Sequence, residues 1–501
     1  MSLMELLYER FDERPDAVAV VYGEERITFA ELVERIERLA SGFSAHGLKA
    51  GDSVALLLRN DPWFVCCFHA VTALGAVAVP IDPAFKRAEI ASHFEAAEVG
   101  WVLSDERMAG VSEAIAASTG RSIKVFTTNE AAGEEMTIRH LHESGSPDRL
   151  PTRDEEPLIF QFSSGSTGRA KRLIRTHANA AAEGRLYQEC GFGPADKVLC
   201  AVPLFHNWGL GSCVFAQAVV GSCIVILEDP HPFLLRRHRA LELIEQEKVT
   251  VFPGVPFNYR LMAEAPADAD LSSLRLCFTA GTAISHSIFE AFGQRFGVLV
   301  RQLYGTTETG MISANLTADP VATWASVGEP SEAVAVEIVG EDGKALPPGE
   351  EGEVTVASPA MTQGYVGEGM DEQNQIAFRD GRYFTGDLGR FGEDGLLYLT
   401  GRTKLLIEVG GYKVDPIEVE DVVLEHPAVA EAIVVGLPGQ VQGEEIVKAA
   451  VVPAAEVDSK ELAAFCRERL ANFKVPQTFE FRDEIPRSPM GKILRKYLVS
   501  G

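Results

Sequence analysis

The sequence predicts an α/β protein with a large N-terminal domain of helix-covered sheets, a β-rich subdomain inside it, and a small α+β C-terminal domain. Three observations predict this. Short apolar β-type runs, such as Val18 to Val21 and Val54 to Leu58, alternate with helical segments through about residue 330. That alternation favours largely parallel sheets covered by helices. From about 334 to 400, dense Gly and Pro separate short strands such as EGEVTV at 351–356, which marks a β-rich subdomain. A last stretch beginning near Gly401 carries its own helix and strand signals, and about 100 residues suffice for an independent domain. The expected domains are 1–403 and 404–501.

Each element has a local reason. Thr28 opens a helix with Glu31 three residues on, a capping box. Leu32, Ile36, Leu39 and Phe43 then recur at helical spacing until Gly47 ends the run. The apolar stretch from Trp63 to Pro80 carries His69 and stops at Pro80 and Asp82. It reads as a buried helix followed by a short strand, not a membrane span. In the last domain, Asp415-Pro416 starts a helix running to Leu424, with proline at its first position. Ala430 to Val435 and Ile446 to Val452 read as strands, and Ser459 to Leu470 as an amphipathic helix.

Composition narrows the function classes. A chain of 501 residues, 46% hydrophobic and 24% charged, buries a sizeable core and is not disordered. Lys and Arg number 46 against 72 Asp and Glu, for a net charge of −26. This argues against a broad nucleic-acid surface or docking on anionic lipid, so any anionic ligand needs a local basic cluster. Eight cysteines form no CxxC pair and no zinc-type cluster, which reads as reduced, mostly buried thiols in the cytoplasm. The acidic N-terminus lacks a signal-peptide core. Oligomeric state leaves no mark in the sequence.

The most informative segment is Phe160-Gln-Phe-Ser-Ser-Gly-Ser-Thr-Gly-Arg-Ala-Lys-Arg172. A β-type run feeds a loop in which Gly165 and Gly168 allow close backbone approach. Ser163, Ser164, Ser166 and Thr167 offer hydroxyls, and Lys171 offers charge. The chemistry is that of a polyphosphate cradle, but the GK[ST] ending of a Walker loop is missing. A flexible surface loop is the plain alternative.

This segment resembles the phosphate loop of the adenylate-forming superfamily, which includes acyl-CoA synthetases, peptide-synthetase adenylation domains and beetle luciferase. Ala170 stands where proline is usual and Arg172 where glycine is usual. Further motifs follow in the family's order. Tyr304-Gly-Thr-Thr-Glu308 resembles its YGxTE motif, in which Tyr304 would stack on adenine, Thr307 donate to phosphate and Glu308 hold Mg²⁺. Tyr383-Phe-Thr-Gly-Asp387 is similar to its YxTGD motif, with Asp387 accepting ribose hydroxyls. A cap or turn aspartate is the alternative. Gly401-Arg402-Thr403-Lys404 resembles the hinge signature, with Arg402 on the ribose or phosphate side and Lys404 at the hinge. In Val409-Gly-Gly-Tyr-Lys413, Gly410 and Gly411 would line a pantetheine tunnel, or form an ordinary tight turn. Pro489-Met-Gly-Lys492 resembles the C-terminal catalytic loop, in which Lys492 reaches the carboxylate and α-phosphate.

The resemblance covers nearly the whole chain. It implies an ATP-dependent acyl-CoA synthetase with ATP, Mg²⁺ and CoA, a mobile C-terminal domain serving two half-reactions, and a carboxylic acid as the small-molecule partner. Pro203-Leu-Phe-His206 resembles the motif bordering the acid, although His206 alone also reads as a core histidine. Trp208, Leu303 and the Thr279-Ala-Gly-Thr-Ala283 loop, with Gly281 passing the adenylate, would complete the acid pocket. Bulky Trp208 and Leu303 favour an aromatic or short-to-medium acid. A carrier-protein phosphopantetheine or an amine is the alternative acceptor. A non-catalytic nucleotide sensor is the alternative of another class.

Overall fold

The computed structural model describes residues 1–105, 108–118, 122–128, 137–150, 156–163, 171–228, 233–284, 286–340, 342–367, 369–402, 407–439, 444–485 and 498. The chain divides into two compact units: 1–83 with 94–161 and 172–401, and 402–501 with the segments 84–93 and 162–171.

Two large sheets dominate the first unit. Seven strands run in the order Tyr365–Val366, Lys171–Thr176, Pro157–Ser163, Val77–Pro80, Ser53–Leu57, Trp101–Ser104, Lys124–Thr127. Nine run Glu329–Pro330, Gly310–Ala314, Val300–Thr306, Leu276–Thr279, Val251–Gly254, Lys197–Cys200, Cys223–Ile226, Val18–Tyr22, Glu25–Thr28. The inner strands of the nine pair in parallel and the edges turn antiparallel. Strands such as Val77–Pro80 and Leu276–Thr279 are buried along their whole length, as expected where helices cover both faces.

Local signals act as their chemistry dictates. Thr28 and Glu31 form the reciprocal capping box of the Phe29–Ala45 helix, which buries Leu32, Ile36, Leu39 and Phe43. Pro62 opens the Pro62–Ala73 helix behind the Asp61 cap, and all but one of its residues are buried. Among the described residues no helix is long and apolar enough to cross a membrane. All eight cysteines are free and buried, and burial pushes the Cys66, Cys190 and Cys223 thiols up to about 12, so they are inert at neutral pH.

The β-rich stretch forms a five-stranded sheet of Ala335–Val339, Gly352–Ala357, Phe378–Arg379, Arg382–Phe391 and Leu397–Arg402. It also holds a helix, Asp371–Ala377, that the Gly/Pro punctuation does not announce. Its Tyr365–Val366 strand pairs instead with Leu173 and Arg172 of the seven-stranded sheet.

In the second unit, strands Val429–Pro438, Glu445–Pro453 and Thr478–Phe481 form one sheet. Helices Pro416–Leu424 and Ser459–Arg469 supply Val419, Val423, Leu462 and Cys466 to its core.

Candidate active site

Two parallel strands of the nine-stranded sheet end side by side, Gly254 pairing with Thr279, and the next strand passes beside those ends at Gln302 and runs on to Thr306. Open α/β sheets bind ligands at that edge. The neighbouring Lys197–Cys200 strand leads into the Pro203–His206 segment. Buried Asn60 fixes this segment by accepting from the Leu204 amide at 2.8 Å and donating to the Val202 carbonyl at 2.8 Å.

His206 is exposed, which removes the core-histidine alternative. It caps the short helix Asn207–Gly209, its Nδ1 accepting from the Trp208 amide at 3.2 Å. An imidazole nitrogen accepts such a bond only through a free lone pair. Trp208 is 8% exposed. Its indole N–H donates to the Gly254 carbonyl at 3.2 Å, and its ring lies 6.1 Å from that of Tyr187. A π-helix, Leu210–Phe215, follows directly and is wholly buried. Such turns are frequent at functional sites.

Across the strand ends, Gln302 holds the Thr279–Ala283 loop. Its Oε1 accepts from the Ile284 amide at 3.1 Å and its Nε2 donates to the Trp324 carbonyl at 2.9 Å. Gly281 sits at φ +90° with open space where a Cβ would go, so backbone conformation and not crowding calls for glycine. The Thr279 hydroxyl is buried with no protein partner among the described residues. Leu303 is buried on the Val300–Thr306 strand.

Glu308 lies in the turn between Val300–Thr306 and Gly310–Ala314, where Thr306 pairs with Gly310. The turn is tied by Thr306 Oγ1, which lies 2.9 Å from Thr309 Oγ1 and accepts from the Thr309 amide at 3.2 Å. Thr307 is half-buried. The Glu308 carboxylate is 7% exposed and accepts from the Tyr365 hydroxyl at 2.8 Å. The hydroxyls of Tyr365 and Tyr383 are 3.4 Å apart. Burial, then the Glu308 charge, holds the Tyr383 phenol well above its ordinary range, so it stays protonated.

Asp387 is neither a cap nor a turn residue. It lies within the Arg382–Phe391 strand, 3% exposed. The pairing register slips opposite Thr385, Gly386 and Asp387, and Gly386 takes φ +73°. Bulges of this kind re-aim side chains. The Tyr304 hydroxyl donates to Asp387 Oδ2 at 2.6 Å, so buried Tyr304 is a positioning contact for that carboxylate.

Arg172, where glycine is usual, donates to the Ala96 carbonyl at 2.9 Å and lies 4.8 Å from the centre of the Phe160 ring. Lys171 is buried at the start of its strand. In the second unit, Gly410 and Gly411 join Ile407–Val409 to Tyr412–Val414 as a two-residue turn, at φ +57° and +86°. A type I′ turn alone requires glycine-like backbone at both positions.

Ser164, Gly165, Ser166, Thr167, Gly168, Lys404 and Lys492 lie outside the described residues, as do the side chains of Ser163 and Arg402. Among the described residues no group of three or more His, Cys, Asp or Glu side chains is placed to hold a metal. A single buried carboxylate fits Mg²⁺, which takes one or two protein carboxylates and completes its shell with substrate phosphates and water.

Tyr365→Phe removes one phenol donor from Glu308 and should lower the adenylation rate by about tenfold. Pyrophosphate release measures this, and an unchanged rate would remove Tyr365 from the site.

Residues 7–366 match the AMP-binding enzyme family, and residues 418–492 its C-terminal domain. The chain is 32% identical over 497 residues to the 2-succinylbenzoate–CoA ligase of Bacillus licheniformis, covering 98% of each. It is 33% identical over 488 residues to the feruloyl-CoA synthase of an Amycolatopsis species, covering 96% of this chain and 95% of that one. Its fold is similar to that of a double variant of o-succinylbenzoate CoA synthetase from Bacillus subtilis bound with a product analogue (TM-score 0.86, 28% identity, 98% of both chains). It is also similar to that of the amide bond synthetase McbA from Marinactinospora thermotolerans (TM-score 0.87, 29% identity, 100% and 99% covered). The match over both domains, at 32–33% identity along nearly the whole chain, means that the chain belongs to the AMP-binding enzyme family, as an acid–thiol ligase that uses ATP to make acyl-CoA through an acyl-adenylate.

Proposed function

We propose that the acid is aromatic and that it lies beside His206 and Trp208, with Thr279, Gly281 and Leu303 completing its pocket. The bond from the Trp208 indole to the Gly254 carbonyl carries this reading. It holds a large flat ring at the strand edge, where a planar acid gains offset stacking and a long flexible chain gains little. The names of two relatives, a 2-succinylbenzoate–CoA ligase and a feruloyl-CoA synthase, point the same way.

In the first half-reaction a carboxylate oxygen attacks the α-phosphorus of ATP, the bond to the bridging oxygen breaks and pyrophosphate leaves. Two anions must meet, so the residues act by positioning and by neutralising charge. Ser163 to Gly168 with Lys171 would cradle the phosphates. Asp387, set by Tyr304, would accept the ribose hydroxyls with Arg402 nearby, and Thr307 would donate to phosphate. Glu308 would hold Mg²⁺, which when bound supplies positive charge to the phosphates. Lys492 would bridge the carboxylate and the α-phosphate. In the second half-reaction the CoA thiol adds to the acyl carbon and AMP leaves. The Gly410–Gly411 turn would flank the pantetheine arm, and Lys404 would serve as the hinge between the two states.

A second acceptor reading has one observation in its favour, the similarity to an amide bond synthetase. An amine would then take the acyl group in place of CoA.

Trp208→Ala tests the acid placement. Its kcat/KM ratio for benzoate-type over straight-chain acids should fall by about tenfold, since one large ring contact is worth about that much. An unchanged ratio would exclude Trp208 from the acid wall.

A further inference from the structure

Beneath the Trp208 wall lies an ion pair that the reaction as described does not use. Arg175, on the strand leaving the phosphate loop, and Glu183, on the His177–Glu189 helix, are 0% and 1% exposed. Arg175 Nη2 lies 2.5 Å from Glu183 Oε2. The other terminal guanidinium nitrogen, Nη1, donates to Asn207 Oδ1 at 2.6 Å. Asn207 stands between His206 and Trp208 in the chain. The guanidinium also faces the ring of Phe215, at 5.6 Å, in the π-helix.

Two glycines make room for the Glu183 carboxylate. A Cβ on Gly211, in the π-helix, would collide with Glu183 Oε1. A Cβ on Gly310, two residues past Glu308, would come within 3.0 Å of Glu183 Cδ, and Gly310 also sits at φ +68°. One buried pair therefore touches the phosphate-loop strand, the acid wall and the Glu308 turn. Burying two charges is costly, and well-packed apolar residues of similar size often give equal or greater stability. Stability alone is a weak reason for the pair, whereas Nη1 supplies a directed bond that an apolar side chain lacks.

We propose, on the reading that the acid lies beside His206 and Trp208, that Arg175 and Glu183 are positioning residues: Glu183 orients the guanidinium, and the guanidinium holds Asn207 and so fixes the His206–Trp208 wall against the Glu308 turn. Their effect is on acid selection, exerted through Asn207 and without contact with the substrate.

The test pairs Arg175→Met/Glu183→Leu with Asn207→Ala and, as a control on the pocket itself, Trp208→Ala. Each is assayed with a benzoate-type and a straight-chain acid. Single changes at Arg175 or Glu183 strand a buried charge and are expected to unfold the protein partly. The double variant should melt within about 5 °C of the parent. It should nevertheless raise the acid KM by about tenfold and change the ratio of kcat/KM between the two acids, with the ATP KM within about twofold. Asn207→Ala should show the same split. A double variant with parental acid kinetics would overturn the proposal. Should the double variant fail to fold, Asn207→Ala decides: a raised acid KM supports the role and an unchanged one overturns it. If Trp208→Ala leaves the acid ratio unchanged, the acid placement itself fails and the positioning role falls with it. A response to Trp208→Ala without one to Asn207→Ala removes the positioning role alone.

Discussion

Replacing Glu308 with glutamine should lower the rate of acyl-adenylate formation by about a hundredfold or more, the usual effect of losing one preorganised electrostatic group. Glutamine keeps the size of the side chain and an oxygen for the Tyr365 hydroxyl, which donates to Glu308 at 2.8 Å. It removes the charge that a divalent cation needs. The fold should therefore survive while chemistry is lost. Pyrophosphate release at saturating ATP and Mg²⁺, together with the melting temperature, separates the two. A loss below about threefold at unchanged stability would show that Glu308 does not hold the cation.

Lys492→Ala should divide the two half-reactions. Adenylation brings a carboxylate against a triphosphate, so loss of the bridging ammonium should slow it by about a hundredfold. Thioester formation from a supplied acyl-adenylate faces no such repulsion and should keep most of its rate. Equal losses in both steps would contradict the assignment of Lys492 to the first half-reaction and the role of Lys404 as a hinge between two states.

Much of the fold was legible because local rules and tertiary packing agree. The Thr28–Glu31 box starts its helix, and Pro62 behind Asp61 starts the next. The strand runs from Val54 and Val77 lie in a parallel sheet. The helix Asp371–Ala377 was hidden because its polar sequence lies among glycines and buries only Ala377. Glu308 and Asp387 could be singled out because their motifs are continuous in the chain.

Their supports could not, because register and packing create them. Tyr365 reaches Glu308 because its strand pairs with Leu173, nearly two hundred residues earlier. Gln302 and Asn60 are ordinary polar residues until their strands and loops are placed. Residue type alone gives Arg175 and Glu183 no signal of burial, since Arg and Glu are almost never fully buried unless paired. Only their partner geometry shows it. Gly410 and Gly411 illustrate the opposite case: the turn they form accounts for both glycines before any ligand is considered.

The most direct measurement is a mass-spectrometric product analysis. The purified chain is incubated with ATP, Mg²⁺, CoA and a panel of aromatic, short, medium and long carboxylic acids, with and without simple amines. Aromatic acyl-CoA together with AMP and pyrophosphate is the expected product set. Amide in preference to thioester would move the acceptor from CoA to an amine. A thioester made only from long straight-chain acids would contradict the aromatic pocket built on Trp208.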